Sequence, residues 1–317
     1  MVDRWVRSAL GAGCPVLGVG CPVLSRHRHD DRRYCRRVHV SQIWRYPVKS
    51  MIGEAVDVAD LEVLGMVGDR MWAVRDEVRG GIRGAKKIGG LMQFAASYSD
   101  GPGSAVTITL PDGVTVRAGD TSANAAVSDA LDHEVTLWPR LPATNIDHYR
   151  RGAPDSDDLM EELRAIFGRE VDEPLPDLSV FPPEIIEFES PLGTYYDAFP
   201  LLVMSTSAFR ALEGALPDSD VDVRRFRPNL VIDTGDESGH PELGWVGSRL
   251  DIGDVALELV VGCPRCVMVT REIEERTPED RRVLRHIVRD LDQNVGVYAN
   301  VIHPGSVRVG DVVTLSS

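Results

Sequence analysis

Cysteine is scarce over most of this chain of 317 residues. Of its five cysteines, three lie within the first 35 residues, so only Cys263 and Cys266 remain in the rest of the sequence. That odd and uneven set is not the framework of a disulfide-stapled secreted domain, and it favours a reducing cytoplasm. Long apolar runs are also missing. No uncharged apolar stretch reaches about 18 residues, so the sequence predicts no membrane-spanning helix.

Net positive charge is absent as well. The formal net charge is -14, which argues against nucleic acid as the main partner because phosphate-backbone binding needs a basic surface. A local basic pocket for one small anion remains compatible with this charge. The chain has no Walker loop, no dinucleotide glycine fingerprint and no H-E-x-x-H motif. The sequence therefore lacks the common signatures of nucleotide-binding proteins and zinc proteases.

The first 37 residues differ from everything after them. They repeat Gly-Cys-Pro-Val-Leu at 13–17 and 20–24, and they carry eight arginines against three aspartates. We interpret residues 1–37 as a disordered or non-native extension. A targeting segment is the alternative, although the prolines and glycines make a poor apolar helix and no clear cleavage site follows.

The apolar composition of the whole chain, 43%, is ordinary for a soluble globular protein, and the length of 317 residues predicts two domains or one elaborate domain. Short alternating runs and turn glycines predict strands, without the regular alternation of strand and helix seen in a Rossmann sheet. We predict a first β-rich domain at 38–138, an acidic linker with one helix at 139–183 and a second β-rich domain at 184–317. The predicted strands and helices that matter most are the strands at 38–44, 250–261 and 267–270, and the helices at 121–131, 157–167, 205–216 and from the Thr277 cap to about 292.

Cys263-Pro264-Arg265-Cys266 is the most informative motif, because it places two thiols and a guanidinium at the end of an apolar strand. A thiolate beside a guanidinium is a better ligand or nucleophile than a free thiol of pKa about 8.5. Four interpretations are open: half of a zinc site, a redox pair, two inert buried cysteines, or one thiolate that binds a soft metal. The histidines show no ligand spacing for zinc, and the motif is not predicted to open a helix as a thioredoxin-like pair does.

Three other motifs concentrate positive charge near predicted strand ends. They are Tyr46-Pro47-Val48-Lys49-Ser50, Gly68-Asp69-Arg70 and Arg224-Arg225-Phe226-Arg227-Pro228-Asn229. In the first motif a solvated loop lysine is the commoner case, although a phosphate or polar ring edge would also suit it. Arg70 is either ion-paired with Asp69 or facing a ligand. For the third motif, carboxylate partners and an anionic ligand are equally open. In a chain this acidic, they are the candidate positions for a phosphate.

These motifs together resemble one family. Y-P-V-K-S, G-D-R-M-W, Y-Y-D-A-F-P, R-F-R-P-N, C-P-R-C and G-S-V-R-V-G-D follow each other in the order found in MOSC proteins, named after the C-terminal domain of molybdenum cofactor sulfurase. The resemblance covers residue 38 to the end and is nearest to the amidoxime-reducing component and its bacterial relatives. It implies a mainly β fold with some α (α+β), in which an N-terminal MOSC β-barrel-like domain packs on a C-terminal MOSC β-barrel domain.

The resemblance also implies a cofactor and a site. Molybdenum would be held on a molybdopterin and bound by Cys266, the metal ligand and catalytic residue, with Arg265 beside it. The expected cofactor-binding residues are Lys49, Ser50, Arg70, Asp197, Arg227, Asn229 and Arg265. Two positions depart from the family pattern: Pro264 replaces a serine common in the animal enzymes, and Ala198 replaces a threonine. Pyridoxal phosphate binding is a further family-level expectation.

The implied activity is reduction of N-hydroxylated compounds, amidoximes and hydroxylamines, to amines. Since no C-x4-C-x2-C run for a plant-type iron–sulfur cluster occurs, we expect the electrons to come from a separate protein, a flavin or iron–sulfur reductase. The alternative is a non-catalytic protein that binds or carries the molybdenum cofactor or sulfur.

Overall fold

The computed structural model describes residues 38–181 and 183–316. The interpretation of residues 1–37 as an extension therefore lies outside the described residues. Within them, no helix combines the length and the apolar character that crossing a membrane requires.

The described residues form a strand-rich structure with short helices. The strands are β1 His39–Arg45, β2 Glu54–Val56, β3 Val58–Glu62, β4 Gly65–Met66, β5 Trp72–Asp76, β6 Ile82–Arg83, β7 Ala95–Tyr98, β8 Val106–Thr109, β9 Thr115–Arg117, β10 Val135–Pro139, β11 Leu201–Ser205, β12 Leu230–Asp233, β13 Arg249–Ile252, β14 Val255–Pro264, β15 Asn294–His303, β16 Gly305–Arg308 and β17 Val313–Ser316. The α-helices are α1 Thr121–Leu131, α2 Ile146–Tyr149, α3 Leu159–Phe167, α4 Glu184–Glu187, α5 Thr206–Ala215, α6 Val223–Phe226 and α7 Arg281–Asp290, and the 3-10 helices are Gly89–Gln93, Leu178–Val180, Pro241–Trp245 and Val267–Thr270.

One large sheet of eight strands dominates the structure. Its order is β17-β13-β14-β15-β11-β12-β1-β2, antiparallel except for the parallel pair β11 and β12. Aliphatic side chains that alternate along these strands meet in one core, whose fully buried members include Val40, Val203, Leu230, Leu257 and Val297. Burial of this continuous apolar face is the main stabilising term for the sheet.

The N-terminal segment builds its own core from smaller sheets. Two three-stranded sheets, with the strand orders β10-β5-β6 and β7-β8-β9, pack with α1 around a core that includes Val74, Phe94, Ile108 and Val127. Strand pairing connects this segment to the C-terminal segment in two places. β1 and β2 join the large sheet, and β16 pairs with β3. The domain boundaries proposed from the sequence stay a prediction. The strand pairings show that the two segments share sheets.

The mainly β fold with some helix is confirmed, as an N-terminal barrel-like part and a C-terminal part built on the large sheet. Three local predictions were wrong. Residues 267–270 form a 3-10 helix rather than a strand, and the Thr270 hydroxyl donates to the Val267 carbonyl inside it. The strand predicted over 250–261 turns back at Gly253, whose φ of +57° permits the reversal.

The third error concerns the start of α7. Asp280 caps this helix, accepting from the Arg282 amide at 2.9 Å, whereas the predicted cap Thr277 donates its hydroxyl to Asp220. Both residues are good capping types, so local sequence could not separate them. The apolar face predicted for the helix is correct, since Leu284, Ile287 and Val288 are buried.

Candidate functional site

A cavity lies where the N-terminal segment meets the end of β14. It encloses about 970 Å³ including its open mouth. Its lining contains six cationic side chains and one carboxylate, together with both thiols and several aromatic rings. The polar and sulfur-bearing residues are Lys49, Ser50, Arg70, Lys86, Asp197, Arg225, Arg227, Arg265, Cys263 and Cys266. A cavity with an excess of positive charge is therefore present in a chain whose net charge is -14.

The two cysteines differ in their surroundings. Cys263, the next-to-last residue of β14, is buried with 3% of its surface exposed, and burial raises the pKa of its thiol. Cys266 is half-buried, lines the cavity and immediately precedes the 3-10 helix Val267–Thr270. Neither is in a disulfide. Of the two thiols in the lining, Cys266 is therefore the more accessible to a ligand in the cavity.

The Cys263 thiol has a neighbour that the sequence did not reveal. Tyr298, from the neighbouring strand β15, lies close enough to Cys263 for each residue to influence the pKa of the other. Burial, with the neighbouring Cys263 and Asp197 charges, raises the pKa of Tyr298 well above its usual value. Tyr298 also lines the cavity. The strand pairing of β14 with β15 brings these two residues together.

Arg265 is buried and held by three elements. Its Nε donates to the Val295 carbonyl at 2.9 Å, Nη1 donates to the Phe226 carbonyl at 2.9 Å, and Nη2 lies 3.3 Å from the Met204 sulfur. Its backbone N–H also donates to the carbonyl of Gln293. The side chain therefore anchors the loop between the cysteines while keeping a positive charge beneath the cavity.

A carboxylate between two lysines forms the second part of the cavity. Asp197 lies 2.9 Å from the Lys49 ammonium and 3.1 Å from the Lys86 ammonium. Burial alone would raise the pKa of Asp197, but the two ammonium charges hold it well below its usual range. Burial lowers the pKa of Lys49 even though Asp197 opposes the effect. Lys86 was not a sequence candidate, because a lysine in a glycine-rich loop carries no motif.

Two arginines stack on one tyrosine at the third part of the cavity. The guanidinium carbons of Arg227 and Arg70 lie 4.1 and 5.4 Å from the centroid of the Tyr46 ring. Arg70 also forms an ion pair with Asp69, and that carboxylate accepts the Tyr46 amide. The Asp69 charge raises the pKa of Arg70 against the effect of burial. Arg70 is thus neutralised, while Arg227 has no carboxylate within salt-bridge distance among the described residues.

Three residues of the cavity lining have an unusual backbone conformation. Ser50, Arg70 and Arg227 all have positive φ, at 69°, 49° and 57°. Non-glycine residues rarely adopt this region, and such strain concentrates at functional sites. Ser50 is held there by its hydroxyl, which accepts the Ala85 amide at 2.9 Å, and a Cβ on Gly84 would come within 2.5 Å of that hydroxyl oxygen. The loop that carries Lys86 is therefore packed directly on Ser50.

One buried donor at the site has no partner. Arg227 is 7% exposed, its Nη1 donates to the Met51 carbonyl, and its Nη2 makes no hydrogen bond. Burial lowers the pKa of Arg227 to about 10. A buried donor without an acceptor is costly, and it indicates a position that an anionic oxygen can fill.

The other arginines of the Arg224–Asn229 motif have structural partners. Arg224 pairs with Asp222 and Glu274, and Arg225 donates to backbone carbonyls, among them those of Arg271 and Pro278. The sequence left carboxylate neutralisation and an anionic ligand equally open for this motif. In the structure the two possibilities apply to different arginines: Arg224 is neutralised by carboxylates, and Arg227 lines the cavity.

Asn229 does not line the cavity. Its side-chain oxygen accepts the Leu202 amide at 3.2 Å, and its side-chain nitrogen donates to the Trp44 carbonyl at 3.3 Å. The residue is completely buried and joins β11, β12 and β1. Its predicted cofactor contact stays a prediction that this geometry does not favour. The other sequence candidates, Lys49, Ser50, Arg70, Asp197, Arg227, Arg265 and Cys266, all line the cavity.

An apolar wall completes the cavity. Phe181, Phe199 and Tyr298 lie with ring centroids 5.3 to 6.3 Å apart. Phe181 comes from the segment predicted as a linker, which also supplies Arg169. That buried arginine donates to the Arg265 carbonyl at 3.1 Å, and burial lowers its pKa to about 10. The acidic segment therefore also contributes to the site.

A site for a metal held by protein ligands alone is a separate question. Among residues 38–181 and 183–316, no group of three His, Cys, Asp or Glu side chains is arranged so that it could hold a metal ion. Half of a structural zinc site is therefore not completed within this part of the chain.

Comparison with known proteins gives two family matches. A MOSC domain matches residues 193–314, and a MOSC N-terminal beta barrel domain matches residues 37–139. Mitochondrial amidoxime reducing component 2 of Bos taurus is 24% identical over 86% of this chain and 82% of its own length. Mitochondrial amidoxime-reducing component 1 of Homo sapiens is 26% identical over 87% of this chain and 82% of its own length.

Among solved structures, the crystal structure of the YUAD protein from Bacillus subtilis aligns with a TM-score of 0.41 and 12% identity, over 88% of this chain and 96% of that one. Residues of both matched segments line the cavity described above, and the two matches confirm the resemblance inferred from the motifs. The chain belongs to the MOSC-domain proteins that carry a MOSC N-terminal β-barrel domain, and it is similar to the mitochondrial amidoxime-reducing components.

Proposed function

We propose that this protein is a molybdenum-cofactor-dependent oxidoreductase that reduces N-hydroxylated compounds to amines. The observation that carries the proposal is the placement of one accessible thiol, Cys266, in the same cavity as a set of cationic side chains. The names of the similar mitochondrial proteins, amidoxime-reducing components, support the substrate class. Cysteine thiolate is a preferred ligand of soft metals, and a pterin phosphate needs cationic partners.

The donor set fits a molybdopterin. Its phosphate is a dianion, and the unpartnered Nη2 of Arg227 offers a buried donor for one phosphate oxygen. Arg227 suits this role because its planar guanidinium can bind two oxygens at once. Arg70 and Arg227 lie together on the Tyr46 ring at one end of the cavity. We infer that this end, around Tyr46, holds the phosphate.

Cys266 would bind the metal at the other end. When bound, the cofactor would supply two-electron redox chemistry that no side chain of this cavity can perform. The protein would orient it, with Arg265 held rigidly beneath the thiol by backbone carbonyls. The Phe181, Phe199 and Tyr298 rings would exclude water and give an apolar face to the organic part of the substrate.

Electrons would come from a separate protein. Because this chain has a net charge of -14, a basic docking surface on that protein would be complementary to it. This partner, the cytoplasmic location and pyridoxal phosphate binding all stay predictions.

The test begins with protein purified from cells that make the cofactor. We expect molybdenum close to one atom per chain, with pterin fluorescence after oxidation, and viologen-dependent reduction of benzamidoxime. Cys266→Ser should lose both the metal and the activity while its unfolding temperature stays near that of the unaltered protein. Cys263→Ser is the matched control and should keep the metal.

Each failure has a distinct meaning. Full molybdenum without turnover of any N-hydroxylated compound would indicate the alternative function, a carrier of the cofactor. Folded protein free of molybdenum and pterin would contradict both functions. Turnover that survives Cys266→Ser would show that the ligand is a different residue.

A further inference from the structure

Lys49 and Lys86 share the Asp197 carboxylate but use their ammonium groups differently. Lys49 donates to three acceptors: the Ser190 hydroxyl at 3.3 Å, the Tyr195 carbonyl at 2.8 Å and Asp197 at 2.9 Å. An ammonium group has three N–H donors, so these contacts use all of them. Only 4% of the Lys49 side chain is exposed. Lys49 is therefore a positioning residue that holds Asp197 and has no donor left for a ligand.

Lys86 is arranged in the opposite way. Asp197, at 3.1 Å, is the acceptor found for its ammonium group among the described residues, which leaves N–H donors for a ligand. Its side chain is 22% exposed and lines the cavity. Burial would lower the pKa of Lys86, but the charges of Asp197 and of Cys266 raise it above its ordinary value. Lys86 thus stays protonated, and it lines the same cavity as Cys266.

Contacts of the two neighbouring residues fix the position of Lys86 in its loop. The Ala85 amide donates to the Ser50 hydroxyl, and the next residue, Lys87, turns away to pair with Asp155 and Glu162. Lys86 lines the same cavity as Cys266, and the cation–π contacts described on Tyr46 are made by other cations, Arg70 and Arg227. The Lys86 ammonium is therefore available to a substrate bound in this cavity.

We propose that Lys86 is a catalytic residue that donates a hydrogen bond to the oxygen of the N-hydroxylated substrate and stabilises the negative charge that grows there as the N–O bond breaks. This proposal rests on the proposed function and adds a protein group to its chemistry. The overall change is R–NHOH + 2e⁻ + 2H⁺ → R–NH2 + H2O, with the electrons supplied by the separate donor protein and the protons by solvent. Lys86 keeps its own proton, because a fixed cation stabilises developing charge without reorganisation.

The first test does not need the cofactor. Protein made without cofactor is alkylated with iodoacetate, an anion, and with iodoacetamide, which is neutral, and modification of Cys266 is followed by peptide mass spectrometry. Both reagents attack the same thiolate, so the ratio of their rates reports the positive charge that a ligand meets beside Cys266. Lys86→Met and Lys86→Gln should lower this ratio by about three- to tenfold, because one cation near the sulfur is lost. Lys86→Arg should preserve it.

Lys87→Met is the matched control, since it removes an adjacent lysine whose partners lie elsewhere. It should leave the ratio unchanged. If Lys86→Met and Lys86→Gln both leave the ratio unchanged in folded protein, the ammonium does not face the thiol and the proposal is overturned, whatever the function of the protein.

The second test uses the protein loaded with cofactor. Lys86→Met should lower kcat for benzamidoxime by about ten- to a hundredfold at unchanged molybdenum content, a typical loss for one donor to a developing oxyanion, and Lys86→Arg should recover part of it. A rise in KM alone, with kcat intact, would contradict the catalytic role. A changed alkylation ratio in a protein that binds no molybdenum would overturn the proposed function while leaving the placement of Lys86 correct.

Discussion

The guanidinium of Arg227 lies over the ring of Tyr46, with its carbon 4.1 Å from the ring centroid. The two residues come from different segments, since Tyr46 follows β1 and Arg227 follows α6. The Tyr46 hydroxyl reinforces the contact by donating to the Pro228 carbonyl at 2.9 Å. This pair therefore fixes an arginine of the cavity lining whose buried Nη2 has no hydrogen-bond partner among the described residues.

Replacement of Tyr46 should separate the two parts of this contact. Tyr46→Phe loses the hydrogen bond to Pro228 and should cost about 1 kcal/mol of unfolding free energy, while the ring still supports Arg227. Tyr46→Leu also removes the aromatic face and should cost about 2–4 kcal/mol. Urea unfolding of both variants measures the difference. Equal losses in the two variants would show that the stacking contributes nothing.

Arg227 should determine how phosphate stabilises the cofactor-free protein. A ligand that binds only the native state raises its stability by RT ln(1 + [L]/Kd), so inorganic phosphate should raise the unfolding temperature in a concentration-dependent way. Arg227→Met should abolish most of this increase. Its stability without phosphate should fall by about 1–2 kcal/mol, because the Met51 carbonyl loses its donor and Tyr46 its cation–π partner, while removal of the unpartnered Nη2 offsets part of that loss. Arg249→Met, at an exposed ion pair, is the control and should respond to phosphate normally.

The two thiols should react at very different rates. Cys263 is buried and its thiol pKa is raised, so at pH 8 it is mostly protonated and shielded. Cys266 lines the cavity. We expect iodoacetamide to modify Cys266 at least about tenfold faster than Cys263 in folded protein. Peptide mapping over time measures both rates, and comparable rates would mean that the loop between the thiols opens in solution.

Asn229 should behave as a structural residue. Asn229→Ala leaves the Leu202 amide and the Trp44 carbonyl without their side-chain partners in a buried place, which should cost about 2–3 kcal/mol of unfolding free energy. Phosphate-dependent stabilisation should persist in the variant, since Asn229 does not line the cavity. Denaturant titrations with and without phosphate measure both effects. A stable variant that no longer responds to phosphate would support the cofactor contact implied by the family resemblance.

Glu242 lies away from the cavity lining and is completely buried. One carboxyl oxygen hydrogen-bonds with the Ser205 hydroxyl at 2.5 Å, and the other lacks a hydrogen-bond partner, with the unpartnered Nδ1 of His240 lying 3.9 Å away. Burial raises the pKa of Glu242 from 4.5 to about 7. The native state therefore favours the protonated acid.

This shift should make stability fall as pH rises. Between about pH 4.5 and 7 the native state keeps a proton on Glu242 that the unfolded chain has lost, so the free energy of unfolding decreases with pH, by up to about 3 kcal/mol, and levels off above the native pKa. Glu242→Gln cannot ionise and should match the parent protein near pH 4.5 but exceed it at pH 8. Glu213→Gln, at an exposed position of α5, is the control. Parallel pH profiles for Glu242→Gln and its parent would contradict the assignment.

Several features could be predicted because local sequence decides them. Helix α1 begins and ends at the predicted residues, Thr121 and Leu131, since small residues at helical spacing lie between a turn and a strand. The apolar face of α7 and the mainly β character follow in the same way from periodicity. The cationic motifs could be located for a similar reason, because clustered arginines are conspicuous in an acidic chain.

The sequence by itself therefore determined the family, most of the helices and strands, and most of the polar and sulfur-bearing residues of the cavity. The tertiary structure alone decided which of these residues have free donors. Arg224, Arg225 and Arg227 lie side by side in the sequence, yet only the fold assigns carboxylates to the first, backbone carbonyls to the second and an open N–H group to the third. Lys86 and Tyr298 reach the cavity through contacts between segments distant in sequence, and hydrogen-bond partners at such distances leave no local pattern.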